Sequence, residues 1–160
     1  MNLEELKSLV KEIVKKASSL KDKYTDQVNI PVNYACIFSQ SKEEYDHLIN
    51  ITNEMGKVIK ETKSGPLFHI QPLETISGKL LLLKIRNPDP TRPERGDADF
   101  TVNNYPEFKE KYLSQNGFKL MLKDDFEMIE LMEPGFDVRV YFSDPPLDKQ
   151  LRLVIDGPVL

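Results

Sequence analysis

Apolar residues recur along the first two dozen positions in steps of three and four. Leu3, Leu6, Val10, Ile13, Ala17 and Leu20 fall in one stripe, which predicts an amphipathic helix from residue 2 to about residue 23. Asn2 is a good N-cap and Glu5 stands three residues on, so each can satisfy a free backbone N–H of the other. Lys15, Lys16, Lys21 and Lys23 crowd the far end, where positive charge suits the helix dipole. The stripe has two outlets: the body of its own chain, or a dimer seam with a second copy.

From residue 32 the pattern changes period in the same order twice. VNYACIFS reads as a strand, and residues 42–55 as a helix with Tyr45, Leu48, Ile49 and Met55 on its inner face and Gly56 at its end. Three strands follow, KVIKET, LFHIQPL and KLLLLKI, punctuated by Gly65–Pro66 and Gly78. The connector RNPDPTRPERG holds Pro88, Pro90 and Pro93, which suit neither a helix nor a central strand, and it is predicted to run over the surface. In the second half DADFTV is a strand, Asn103 and Asn104 are turn and cap residues, and a helix runs from Pro106 to about Ser114 with Tyr105, Phe108 and Tyr112 on one side. Gly117 breaks it, and FKLML, FEMIELM and DVRVYF are strands, the last two parted by Glu133–Pro134–Gly135.

Each half therefore reads strand, helix, strand, strand, strand, which predicts an α+β fold with antiparallel meanders beside helices. The predicted organisation is a helical extension over residues 1–31, one module over 32–88, a second over 97–143, and a tail over 144–160 containing a strand-like LRLVI.

The chain of 160 residues suits one domain with its own core. Hydrophobic content of 39% and charged content of 30% mark it as globular. A net charge of −4 predicts no nucleic-acid partner, since affinity for phosphate backbones comes from clustered Lys and Arg. One cysteine makes no internal disulfide; with a charged helical start in place of a signal peptide, a cytoplasmic protein is expected. No apolar run reaches the roughly 18 residues of a membrane span, so no membrane partner is expected. There is no G-x-S-x-G elbow, no Gly-rich phosphate loop and no HExxH pair.

The doubled order, with ADFTV, a turn and EFKEKYL, then IELMEPGFDVRVYF, resembles the vicinal oxygen chelate superfamily of glyoxalase I, bleomycin-resistance proteins and extradiol dioxygenases. Glu133–Pro134–Gly135–Phe136–Asp137 is similar to the turn before that superfamily's last strand, and the resemblance spans Val32 to Ser143. It implies two βαβββ modules forming a curved, barrel-like mixed sheet around a groove. It also implies a divalent ion held by His, Glu or Gln on the first and last strand of each module, acting as a Lewis acid on substrate oxygens.

Strand alternation shows what this chain offers there. If Ala98, Phe100 and Val102 cover the helix, then Asp97, Asp99 and Thr101 face the groove. By the same logic Tyr34, Cys36 and Phe38 face it opposite Ala35 and Ile37, and Lys84 and Arg86 opposite Leu81, Leu83 and Ile85. Arg139 and Tyr141 face it opposite Val138, Val140 and Phe142. The superfamily's ligand positions thus fall near Tyr34, Lys84, Asp99 and Arg139, with Val140 the alternative to Arg139. Only Asp99 suits a metal; Lys and Arg offer no lone pair at neutral pH. The chain departs from the metal-dependent pattern, and no resident cofactor is expected, a divalent metal being the alternative.

These residues instead suggest that Lys84 and Arg139 stand beside Asp99 and neutralise it. Arg86, Tyr34 and Tyr141 nearby would then leave positive charge for a carboxylate or phosphate. His69 alternates with Phe68 and Ile70 and is expected in the groove, either as a general base or as a hydrogen-bonded structural histidine. Cys36 reads as a buried filler, and Asp124–Asp125–Glu127 as a solvated hairpin tip. The connector interleaves Arg86, Arg92 and Arg95 with Asp89, Glu94 and Asp97, and serves either as a salt-bridged strap or as a rim over the groove.

Three functional readings follow: a small-molecule-binding protein with an anionic ligand and without the superfamily's metal set; an atypical metal-dependent lyase, isomerase or dioxygenase using Asp99, His69 and Glu130; and a structural module dimerising through its N-terminal helix.

Overall fold

The capping box at the N-terminus forms. Asn2 Oδ1 accepts the Glu5 backbone N–H at 2.9 Å, the Glu5 carboxylate accepts the Asn2 N–H at 3.3 Å, and α1 runs Leu3–Tyr24. The computed structural model describes residues 1–151. After α1 come β1 (Val32–Phe38), α2 (Lys42–Thr52), β2 (Gly56–Thr62), β3 (Gly65–Thr75) and β4 (Gly78–Arg86). Then come β5 (Gly96–Phe100), α3 (Tyr105–Tyr112), β6 (Phe118–Leu122), β7 (Glu127–Leu131), β8 (Val138–Asp144) and the short α4 (Leu147–Gln150). Ser41 and Asn104 cap α2 and α3 by accepting the backbone N–H of Glu44 and Glu107. Most of the predicted LRLVI strand lies outside the described residues.

The strands form one open mixed sheet in the order β2-β3-β4-β1-β5-β8-β7-β6. β1 and β5 meet antiparallel at its centre; β1 lies parallel to β4 and β5 parallel to β8, while the remaining pairs are antiparallel. The central meeting is close. A Cβ on Gly96 would lie 2.2 Å from the Cys36 carbonyl oxygen and 2.9 Å from Ile13, so only glycine fits where β5 begins.

The helical stripe is spent on this sheet. Leu6, Val10, Ile13, Ala17 and Leu20 are buried, as is Val14, in one cluster with Ala35, Ile37, Ala98, Phe100, Val138, Val140 and Phe142. The apolar residues that a dimer seam would use are thus covered by the chain itself. Each fully buried Leu, Val or Ile contributes about 1.5–3 kcal/mol. α2 adds Leu48 and Ile51 to the cluster, and α3 adds Tyr105, Phe108 and Tyr112, with the Phe108 ring centroid 4.5 Å from that of Phe142. Lys21 is wholly buried at the end of α1; its ammonium donates to Asp22 (2.7 Å) and to the carbonyls of Gln27 (2.7 Å) and Val28 (3.1 Å), tying the helix to the loop before β1.

Alternation along β4 slips once. Expected inward, Leu81 instead lines a small cavity with Leu82, and Leu80 takes the core position. The β3–β4 register shifts between His69 and Leu73, which breaks the period of two.

Candidate ligand-binding groove

Because alternate residues of the central strands join the helical core, the residues between them share the opposite face. Two rows cross that face. Lys84, Cys36, Asp97 and Arg139 are register neighbours across β4, β1, β5 and β8. Tyr34, Asp99 and Tyr141 form the next row across β1, β5 and β8.

This register corrects the expected neutralisation of Asp99. Lys84 and Arg139 share the row of Asp97, and Asp99 takes its hydrogen bond from the Ser143 hydroxyl. Arg139 is held elsewhere: its Nε donates to Glu94 at 2.8 Å, one terminal nitrogen to Glu130 at 3.4 Å and the other to the Thr91 carbonyl at 3.0 Å. Tyr141 donates to the same Glu130 at 2.7 Å. Lys84 makes no hydrogen bond or ion pair among the described residues, and burial lowers its pKa below that of an ordinary lysine.

A cavity of about 600 Å³ opens on this face. Tyr34, Asp97 and Tyr141 come from the central strands, Lys84 and Arg86 from β4, and Asn87, Pro88, Asp89, Pro90 and Arg92 from the connector. Lys63 and Ser64 come from the β2–β3 turn, and Met121, Lys123, Phe126 and Met128 from the β6–β7 hairpin. The connector is both strap and rim. Arg95 pins it by donating to both Glu44 oxygens (2.6 and 3.0 Å) and to the Phe38 carbonyl (3.0 Å), while its first half borders the cavity. Arg92 lies over the Phe38 ring and donates to the Tyr141 hydroxyl at 3.3 Å.

Electrostatically the cavity holds five cationic side chains, Lys63, Lys84, Arg86, Arg92 and Lys123, against two carboxylates, Asp89 and Asp97. Arg86 and Arg92 each approach Asp89 only at 3.8 Å, and the Arg86 Nε has no partner among the described residues. Asp97 is 4% exposed, and its Oδ1 likewise has no partner. Burial pushes its carboxyl up to about 7, against the opposing pull of Arg92, Lys84, Arg86 and Arg139. Asp99, wholly buried, is also pushed up to about 7 by burial, aided by Asp97 and opposed by Ser143. Burial, with Asp97 beside them, pushes the Tyr34 hydroxyl and the Cys36 thiol above their ordinary pKa values.

Of the residues singled out in sequence, Tyr34, Lys84, Arg86 and Tyr141 line this cavity together, while Asp99 and Arg139 do not line it. His69 is apart: it lines a separate cavity of about 40 Å³ with Asn33 and Asp148, too small for an organic ligand. Among the described residues no three His, Cys, Asp or Glu side chains converge as a metal would require, so Asp99, His69 and Glu130 do not form a set. Tyr34, Lys84, Asp99 and Arg139, the four positions that the resemblance suggested, include two cationic side chains without a lone pair, and such a donor set does not fit a divalent ion. Sequence reasoning left Asp97 and Arg92 out of the ligand site, although alternation had turned Asp97 to the groove and the connector had been marked as a rim. Met121, Phe126 and Met128 carried no signal.

Among the described residues no helix is long and apolar enough to cross a membrane. No described protein family and no curated protein matches the chain. A solved structure similar to it, the structural-genomics protein EC4020, has a TM-score of 0.66 at 10% identity over 88% of this chain and 86% of that one. At that identity the likeness shows a shared α+β fold.

Proposed function

We propose that this protein binds a small anionic molecule, a carboxylate or a phosphate, in the cavity over β4, β1, β5 and β8. The observation that carries the reading is the surplus of cations there, with Lys84 half-buried and without a hydrogen bond or ion pair among the described residues. A cleft lined by one sign of charge concentrates the opposite ion. A volume of about 600 Å³ falls in the range of small-molecule sites. The guanidinium of Arg86 lines the cavity and approaches Asp89 only at 3.8 Å, and a guanidinium is the natural partner for an oxyanion. The two strand–helix–strand–strand–strand halves act in this reading as modules whose sheets curve around one groove. That arrangement is supported by the central meeting of β1 with β5 and by two hairpins from opposite sheet edges lining the same cavity. A lone buried Cys36 suits a reducing cytoplasm.

Titration calorimetry with inorganic phosphate and with sulfate tests the reading. Saturable binding that weakens with added salt is expected, and Lys84→Met should weaken it about tenfold, the usual worth of one charge-assisted hydrogen bond. Absence of saturable binding, or a Lys84→Met protein that binds as well as the natural one, would overturn it.

A further inference from the structure

The cationic end of the cavity faces a second end of different chemistry. β6 and β7 lie beyond β1, β5 and β8 from β4, so the hairpin they form meets the cavity at the side away from Lys84 and Arg86. Its contribution is Met121, Phe126 and Met128, with the exposed Lys123 on the rim. These three apolar side chains are half-buried, and they are not spent on the main core. Leu120 and Ile129, their neighbours in sequence, pack with the core, while Met121 and Met128 stand at the alternate positions and are themselves register partners across β6 and β7. Apolar surface of this kind in a cleft is a binding wall rather than a packing surface. Tyr34 and Tyr141 join the two ends along the floor, each with an aromatic ring and a polar tip.

Resting on the anion-site reading, we infer that the ligand is amphipathic: an anionic head at Lys84, Arg86 and Arg92, joined to an aromatic or branched apolar body against Met121, Phe126 and Met128. Methionine has a flexible, polarizable side chain, so this wall accommodates bodies of differing shape. Selectivity then lies in the joining of the two features within one molecule.

The test compares three probes on the full chain by titration calorimetry: benzenesulfonate (head and body), methanesulfonate (head alone) and benzyl alcohol (body alone). The sulfonates keep their charge throughout the working pH range. Benzenesulfonate should bind the natural protein at least tenfold more tightly than either of the others, as burial of one aromatic face implies. Met121→Ala combined with Met128→Ala should cost benzenesulfonate about tenfold and leave methanesulfonate within twofold. Equal affinity for the two sulfonates, or an equal loss for both in the double variant, would overturn the inference while leaving anion binding intact. Failure of both sulfonates to bind would instead overturn the anion site itself. The comparison on the natural protein needs no variant, so a misfolded variant cannot obscure the result.

Discussion

Asp97 and Asp99 stand two residues apart on β5, face the same side, and are pushed up to about 7 mainly by burial. For Asp99 the consequence is one of stability. Its folded pKa lies above its unfolded value near 4, so its contribution is fully present below that value and is lost as pH rises through 7. Asp99→Asn removes the titrating group, and denaturant unfolding should show a flatter pH profile, gaining on the natural protein by roughly 2–4 kcal/mol between pH 4 and pH 8. For Asp97 the consequence is one of binding. When it is ionised it competes with any incoming anion for Lys84, Arg86 and Arg92; when it is protonated that competition ends. Affinity for sulfate, whose charge is constant over this range, should therefore strengthen as pH falls from 8 to 6, and Asp97→Asn should bind it several-fold more tightly at pH 8 with a flatter slope. A variant that retained the slope would place the titration elsewhere. Alternation made the face of these residues legible in sequence. Their partners were not, because whether Lys84 and Arg139 sit beside Asp97 or Asp99 depends on a two-residue shift of register that keeps the same face and that only the folded sheet fixes.

Among the elements, the connector from Asn87 to Arg95 does the most to shape the site. Its second half is fastened through Arg95 to Glu44 and through Arg139 to Glu94 and Thr91, leaving its first half as the cavity's rim. Arg139 and both its carboxylate partners are about 10% exposed, so Arg139→Met would strand Glu94 with little solvent and leave Glu130 only the hydrogen bond from the Tyr141 hydroxyl. A loss of about 3 kcal/mol is expected by chemical denaturation, and a loss under 1 kcal/mol would mean that the network is no fastening. At the other side of the sheet, Gly96→Ala should cost about 1–3 kcal/mol, because its Cβ has nowhere to go between the Cys36 carbonyl and Ile13. Elements with local causes were legible. The Asn2–Glu5 box set the start of α1, and the stripe of Leu6, Val10, Ile13, Ala17 and Leu20 set its buried face. Leu81 was misplaced because the irregularity beside it arises from pairing with β3, which the residues of β4 alone do not encode.

At the scale of the whole molecule, one helical face and one polar face divide the labour. Helices α1, α2 and α3 cover one side of the sheet with apolar side chains, which leaves the other side free to hold charge near solvent. The order of elements was readable from period and punctuation. The meeting of the β2–β3 turn and the β6–β7 hairpin at one cavity was not, since it depends on how eight strands are ordered and shaped together. For the same reason Met121, Phe126 and Met128 looked like ordinary strand residues. The central claim, an anion site on the polar face, is tested most directly by NMR titration of the natural protein with sulfate, following backbone amide resonances. Saturable shifts confined to Lys84, Arg86, Arg92, Asp97 and their neighbours are the expected result. Shifts that do not saturate, or that gather on another surface, would contradict the account.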